Sequence, residues 1–247
     1  MSDLIEGRHP VLERLKANKP INKIILAKTA GHSDIIDEIV RLAKQNRVVF
    51  EFVDKQALDR VSLTRKHQGV IALAAAHEYV EVEDLLSAAH AKGEPPFIIL
   101  LDGIEDPHNL GAIIRTADAA GAHGVVILKH RAVGLTSVVS KVSAGAIEHI
   151  SVARVNNLND VIKKLKEQRL WIVGLDEAGD MELSKVDFKL PVALVIGKEG
   201  KGLSRLVKEN CEMLVRIPMK GKINSLNASV AAGVVMYEVV RQRNSLL

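Results

Sequence analysis

A single cysteine, Cys211, in 247 residues rules out an internal disulfide and any cysteine-based zinc cluster, and it suits a reducing compartment. Cys211 lies ahead of an apolar stretch and outside the segments that carry chemistry below, so it reads as a buried structural thiol. Aromatic residues make up 3% of the chain, with Trp171 the one tryptophan, too few to build a stacking platform for single-stranded nucleic acid. Long apolar runs are missing as well. Pro95–Leu101 and Val192–Ile196 fall far short of the roughly 20 residues that cross a bilayer. The opening Met1-Ser2-Asp3-Leu4-Ile5-Glu6 has no basic segment leading into an apolar one, so no secretory signal is legible. The expectation is a cytoplasmic protein with neither a membrane nor a metal as partner.

Hydrophobic residues at 47% and charged residues at 26%, with seven prolines, describe an ordered globular chain. Its length suggests two compact units. The net charge of +4 and pI near 9.1 lean toward an anionic partner without identifying nucleic acid. Basic residues gather at Arg65-Lys66-His67, at Lys129-His130-Arg131, and along Lys198, Lys201, Arg205, Lys220 and Lys222. A solvated basic face and an RNA-binding face both fit that clustering.

Periodicity predicts a helix over 4–18, a strand over Lys23–Lys28, a helix over Ser33–Asn46, a strand over Val48–Val53, a short helix from Asp54 and a strand over Gly69–Ala75. Ser33 is positioned as a helix N-cap. Residues 1–77 therefore read as a small α/β domain. A polar stretch over 78–96, with a helix over Glu83–Lys92 and the punctuation Gly93-Glu94-Pro95-Pro96, reads as a linker. Residues 97–247 resume the alternation, with strands at Phe97–Leu101, Gly124–Leu128, Leu170–Leu175, Val192–Ile196 and Met213–Ile217, and helices at Pro107–Ala120 and Ser225–Arg243. That pattern implies a mostly parallel sheet covered on both faces, with ligands beyond the carboxyl ends of its strands.

Three segments follow such strands. In Asp106-Pro107-His108-Asn109-Leu110-Gly111-Ala112-Ile113-Ile114-Arg115, an N-cap and a first-position proline explain the helix start. They do not explain Arg115, whose guanidinium sits among Ile113, Ile114 and Ala117 and would be costly to bury unpaired, so it is expected to face a polar site. Asn109 and Arg115, six apart, lie about 120° out of line on an ideal helix. They converge only if Asn109 belongs to the loop. Gly197-Lys198-Glu199-Gly200-Lys201-Gly202 is a turn that lets backbone approach a ligand. Its spacing is not G-x-G-x-x-G, Glu199 would repel a pyrophosphate, and Val215-Arg216-Ile217-Pro218 supplies no ribose-binding carboxylate, which disfavours a nicotinamide cofactor. In Asn224-Ser225-Leu226-Asn227-Ala228-Ser229, Ser225 is a plausible N-cap. The segment reads either as a packing helix or as a polar pocket floor.

In this order the three segments resemble the motifs of the SpoU/TrmH class of SPOUT RNA methyltransferases: Asn109-Leu110-Gly111 through Arg115, then Gly197-Lys198-Glu199-Gly200 with Gly202, then Ser225-Leu226-Asn227-Ala228-Ser229-Val230-Ala231. Ile5-Glu6-Gly7-Arg8-His9-Pro10-Val11 and His67-Gln68-Gly69-Val70 resemble the L30e-like substrate-binding domain of the ribosomal RNA members. The resemblance implies a SPOUT-type α/β sheet with a C-terminal deep trefoil knot, where periodicity alone suggested an open doubly wound sheet. It implies S-adenosyl-L-methionine held by Gly197, Ile217 and Leu226, with Arg115, Asn109, Glu199, Ser225 and Asn227 as catalytic residues. It also implies RNA contacts from Arg8, His9, Arg65 and Lys66, and a homodimer that completes the RNA site. The expected reaction is 2′-O-methylation of a guanosine ribose in 23S ribosomal RNA, dominated by orientation and needing no covalent intermediate. An arginine, with its pKa above about 12, suits electrostatic stabilisation of the developing alkoxide better than proton removal. Other readings are a transfer-RNA or antibiotic-resistance ribosomal RNA methyltransferase, and a catalytically silent RNA-binding assembly factor.

Overall fold

The computed structural model describes residues 3–31, 33–223 and 225–244. The chain divides into two compact units, Met1–Glu78 with Gly134–Ser137, and Tyr79–Val133 with Val138–Leu247.

The first unit contains β1 (Leu4–Glu6), α1 (Arg8–Lys16), β2 (Ile21–Ala27), α2 (Asp34–Gln45), β3 (Phe50–Val53), α3 (Lys55–Val61) and β4 (Val70–Ala74). The helix expected over 4–18 is shorter than predicted, because Gly7 takes φ +101°, a value open mainly to glycine. The residues before it form an edge strand antiparallel to β4. The sheet order is β1-β4-β2-β3, with β2 and β3 parallel. Ser33 caps α2 by accepting from the Ile36 N–H. The apolar stripe of α2 then packs Ile36 and Ile39 against Ile24, Leu26 and Val70.

The second unit contains α4 (Val82–Lys92), β5 (Phe97–Asp102), α5 (Pro107–Ala119), β6 (Gly124–Leu128), α6 (Ser137–Val142), β7 (Val152–Val155), α7 (Leu158–Glu167), β8 (Trp171–Leu175), β9 (Met181–Glu182), β10 (Val192–Gly197), α8 (Arg205–Asn210), β11 (Met213–Arg216) and α9 (Ala228–Asn244). Its seven strands pair in parallel throughout, in the order β7-β6-β5-β10-β8-β11-β9. The central β5 and β10 are buried along nearly their whole length, which is why both read as unbroken apolar runs rather than alternating ones. The 78–96 stretch is more than a linker. Its α4 sets Val82 and Leu85 in the same core as Ile98, Leu100, Val126 and Val195. The C-terminal helix is held by Arg243, whose guanidinium donates to the carbonyls of Pro95, Phe188 and Leu190. No helix among the described residues is long and apolar enough to cross a membrane.

At the start of β5 the buried His123 side chain accepts from the Phe97 N–H through Nδ1 at 3.1 Å and meets Glu94 through Nε2 at 3.1 Å. Burial pushes this imidazole below its usual value, against the opposing pull of Glu94. A histidine favoured neutral in the fold stabilises it above the unfolded value near 6.5, and that contribution is lost as pH falls toward the lower folded value. The melting temperature should therefore drop on acidification below about pH 6.5. In His123→Gln that part of the pH profile should flatten, as differential scanning calorimetry would register.

Candidate active site

The carboxyl ends of β5, β8, β10 and β11 lie side by side in the sheet, where open parallel sheets bind ligands. Immediately after β10 the chain doubles back, with the Lys198 N–H donating to the Gly202 carbonyl at 3.1 Å and the Gly202 N–H to the Lys198 carbonyl at 2.8 Å. A Cβ on Gly197 would stand 2.3 Å from the Gly202 carbonyl carbon. That is a backbone clash no rotamer can relieve, so glycine at 197 is a steric requirement of the turn. The far side is fixed by Asp102 at the end of β5, whose carboxylate accepts from the Ser204 N–H at 2.6 Å. An exposed pair between Lys198 and Glu105, at 2.6 Å, adds little to that, because exposed ion pairs contribute under about 1 kcal/mol.

Glu199, at the turn, is joined to two residues distant in sequence. Its Oε2 accepts from Asn109 Nδ2 at 3.2 Å and from Asn227 Nδ2 at 3.3 Å. Asn227 Nδ2 also donates to Asn109 Oδ1 at 2.9 Å. Asn227 in turn caps α9, its Oδ1 accepting from the Ser229 N–H at 3.0 Å and the Ser229 hydroxyl at 2.6 Å. The cap of the last helix is thus Asn227, and the helix starts at Ala228 instead of at the expected Ser225. A cap of this kind is worth about 1 kcal/mol, and here the same side chain ties the helix to the turn.

In front of this network lies a cavity of about 390 Å³, within the range of small-molecule sites. Gly197, Glu199, Ile217, Ser225 and Leu226 all line it. Asn109 is buried behind Glu199 and Asn227 stands beside it. Asn224 lies outside the described residues. Arg115 does not line the cavity. The condition for it to converge with Asn109, that Asn109 lie in the loop, is not met within one chain. Asn109 belongs to the first turn of α5 rather than to the loop, so the six-residue spacing turns Arg115 away from it, and Arg115 stands exposed. The cations at the cavity are lysines: Lys198, Lys201 and Lys208. Sequence reasoning missed Asp102, Asp176 and Lys208. The two acids are signalled only by standing at strand ends, and Lys208 by nothing local. Cys211, outside the cavity, donates to the Val207 carbonyl at 3.2 Å, and burial pushes its thiol up to about 12, as befits an inert side chain.

A second cavity, of about 830 Å³, lies in the first unit and is lined by Arg8, His9, Lys55, Arg65, Lys66 and His67 among others. Arg65 and Lys66 are exposed, on a loop organised by Glu6. That carboxylate accepts from the Ser62 hydroxyl at 2.9 Å, the Leu63 N–H at 2.5 Å and the Thr64 hydroxyl, and these bonds hold it below the usual carboxylate range, Thr64 first. Arg8 is largely spent internally, donating to Gln68 O, Ser33 Oγ and Ala30 O.

The model of the SpoU rRNA Methylase family matches residues 96–237. That match covers more than half of the chain and contains the glycine turn and its asparagine network. The chain belongs to the SpoU family. Residues 4–80 match the RNA 2′-O ribose methyltransferase substrate binding model. A Bacillus subtilis (strain 168) protein assigned to the TrmH family tRNA/rRNA methyltransferases, YacO, is 50% identical over 98% of this chain and 96% of its own length. Among solved structures, the SpoU methyltransferase AviRb from Streptomyces viridochromogenes, in complex with the cofactor AdoMet, is 28% identical with a TM-score of 0.63, covering 98% of this chain and 90% of that one. An AdoMet-bound rRNA methyltransferase from Sinorhizobium meliloti is 25% identical with a TM-score of 0.58, over 99% and 87% of the two chains.

Gly197→Ala should cost at least about 1–3 kcal/mol, the usual range for forced overpacking, seen as a lowered midpoint in urea unfolding of the full chain.

Proposed function

We propose that this SpoU protein 2′-O-methylates a guanosine ribose of 23S ribosomal RNA, with S-adenosylmethionine as methyl donor. The observation that carries the reading is the Asn109–Glu199–Asn227 network behind a cavity walled by the glycine turn, Ile217 and Leu226. The lining suits that donor: Ile196, Met219, Leu226 and Ala231 offer apolar surface to a purine, while Glu177 and Glu199 offer negative charge to a cation. When bound, S-adenosylmethionine supplies an electrophilic methyl carbon on a positively charged sulfur.

The chain's own part is orientation. Gly197, Ile217 and Leu226 would hold the donor. Asn109 and Asn227 fix the Glu199 carboxylate, and Ser225 at the cavity wall would position the ribose or the donor. The role left for Arg115 is electrostatic, stabilising negative charge on the ribose oxygen. In one chain it stands away from the cavity, which favours a homodimer that brings it to a site from the second copy. An exposed apolar stripe on α9, Val230, Val234 and Tyr237, each at least 41% exposed, supports that assembly. The SPOUT-type trefoil knot of the C-terminal segment belongs to the same proposal. So does RNA binding by His9, Arg65 and Lys66 in the first unit, with Arg8 shaping that cavity. Ribosomal RNA is favoured over transfer RNA by the match of residues 96–237 to the SpoU rRNA Methylase family, and the unit over 4–80 is a separate RNA substrate-binding part.

RNA from cells lacking the protein should have lost one 2′-O-methyl mark in 23S ribosomal RNA. Wild-type protein should restore it, and Arg115→Ala should not, although that variant keeps its affinity for the donor. A missing mark in transfer RNA instead, or restoration by Arg115→Ala, contradicts the substrate or the role given to Arg115.

A further inference from the structure

Asp176, the residue after β8, faces the cavity from between the ends of β10 and β11, and the proposed reaction has given it no role. Its side chain is only 4% exposed. Three contacts fix it. Its N–H donates to the Val215 carbonyl at 3.0 Å, its Oδ1 accepts from the Ala178 N–H at 3.1 Å, and its Oδ2 meets Lys208 Nζ at 2.5 Å. The approach of Gly202 is also close, since a Cβ there would come within 3.4 Å of Oδ2. A buried carboxylate is costly unless its charge is compensated, and Lys208 supplies that compensation.

An ionised carboxylate offers about four acceptor positions and no donor. Ala178 and Lys208 occupy one on each oxygen, which leaves acceptor capacity on a carboxylate that lines the cavity. Two adjacent acceptors match a ligand group with two adjacent donors. The cationic part of a ligand has better partners elsewhere, because Glu177 and Glu199 line the same cavity with no cation paired to either among the described residues.

We infer that Asp176 is a specificity-determining residue that accepts both hydroxyls of the ribose cis-diol of the bound nucleoside, with Lys208 positioning its carboxylate. The inference rests on the methyl-donor reading of the cavity. It adds a reason why the site should reject deoxynucleosides. An ionised acceptor left facing a missing hydroxyl forfeits a charge-assisted hydrogen bond, which corresponds to roughly 10- to 100-fold in affinity.

Calorimetric titration of the full-length protein with S-adenosylhomocysteine and with its 2′-deoxy and 3′-deoxy analogues tests this. Wild type should prefer the intact ribose by about tenfold or more over each analogue. Asp176→Ala should bind all three within about twofold of one another. Asp176→Asn, which keeps the shape and one acceptor oxygen, should show a reduced preference, and it carries the test should the alanine variant not fold. A variant that weakens all three ligands equally and keeps the wild-type ratios would overturn the assignment and leave Asp176 a structural role. Wild type binding the intact and deoxy ligands alike would overturn it too. Failure of wild type to bind S-adenosylhomocysteine at all would remove the methyl-donor reading itself, which sets that outcome apart from the others.

Discussion

The backbone of Gly197 and that of Gly202 meet at a distance where no side chain fits, and the rest of the site depends on that contact. It closes the turn tightly enough for Glu199 to reach Asn109 on α5 and Asn227 at the start of α9. It also leaves the ends of β8 and β10 open to the cavity. The steric requirement outweighs the local electrostatics. Surface pairs such as Lys198–Glu105 contribute fractions of a kcal/mol, whereas a methyl group at 197 would force the main chain to move.

Around that turn, one carboxylate organises three distant parts of the sequence. Glu199 Oε2 takes both asparagine amides, and Asn109 and Asn227 are bonded to each other as well. Hydrogen bonds to a charged group are the stronger kind, and in a partly desolvated setting they reinforce one another. Asn227 spends its oxygen on the first turn of α9, so the helix cap and the site are one structure. The lysines at the cavity and the exposed Arg65 and Lys66 of the first unit then give each unit a surface suited to a polyanion, consistent with the net charge of +4.

The strands of this fold were legible because burial on both faces leaves an unmistakable apolar run: Phe97–Leu101 and Val192–Ile196 lie in or next to the centre of the sheet. The edges were harder. Leu4–Glu6 reads as helix until Gly7 is seen with positive φ. The short β7 is interrupted by Arg154 and was not anticipated, nor was α7, although Leu158, Val161, Ile162 and Leu165 keep helical spacing. In the site, Glu199, Ser225, Gly197, Ile217 and Leu226 came from motif resemblance, and the cavity gathers them. Arg115 was read from its apolar neighbours as facing a polar site; it is exposed, but the helix turns it away from Asn109 and the cavity of the same chain. Asp176 and Lys208 escaped notice because their pairing joins β8 to α8, a contact that no local pattern encodes.

On the proposed reading, the Asn109–Glu199–Asn227 network shapes the cavity for a methyl donor. The most direct measurement is calorimetric binding of S-adenosylmethionine to wild type and to Asn109→Asp, which keeps the shape of the side chain but sets a second carboxylate against Glu199. Wild type should show one site per chain and the variant at least a tenfold loss of affinity, the scale of one broken charge-assisted bond. Equal affinity in the two proteins, or no binding by wild type, would contradict it.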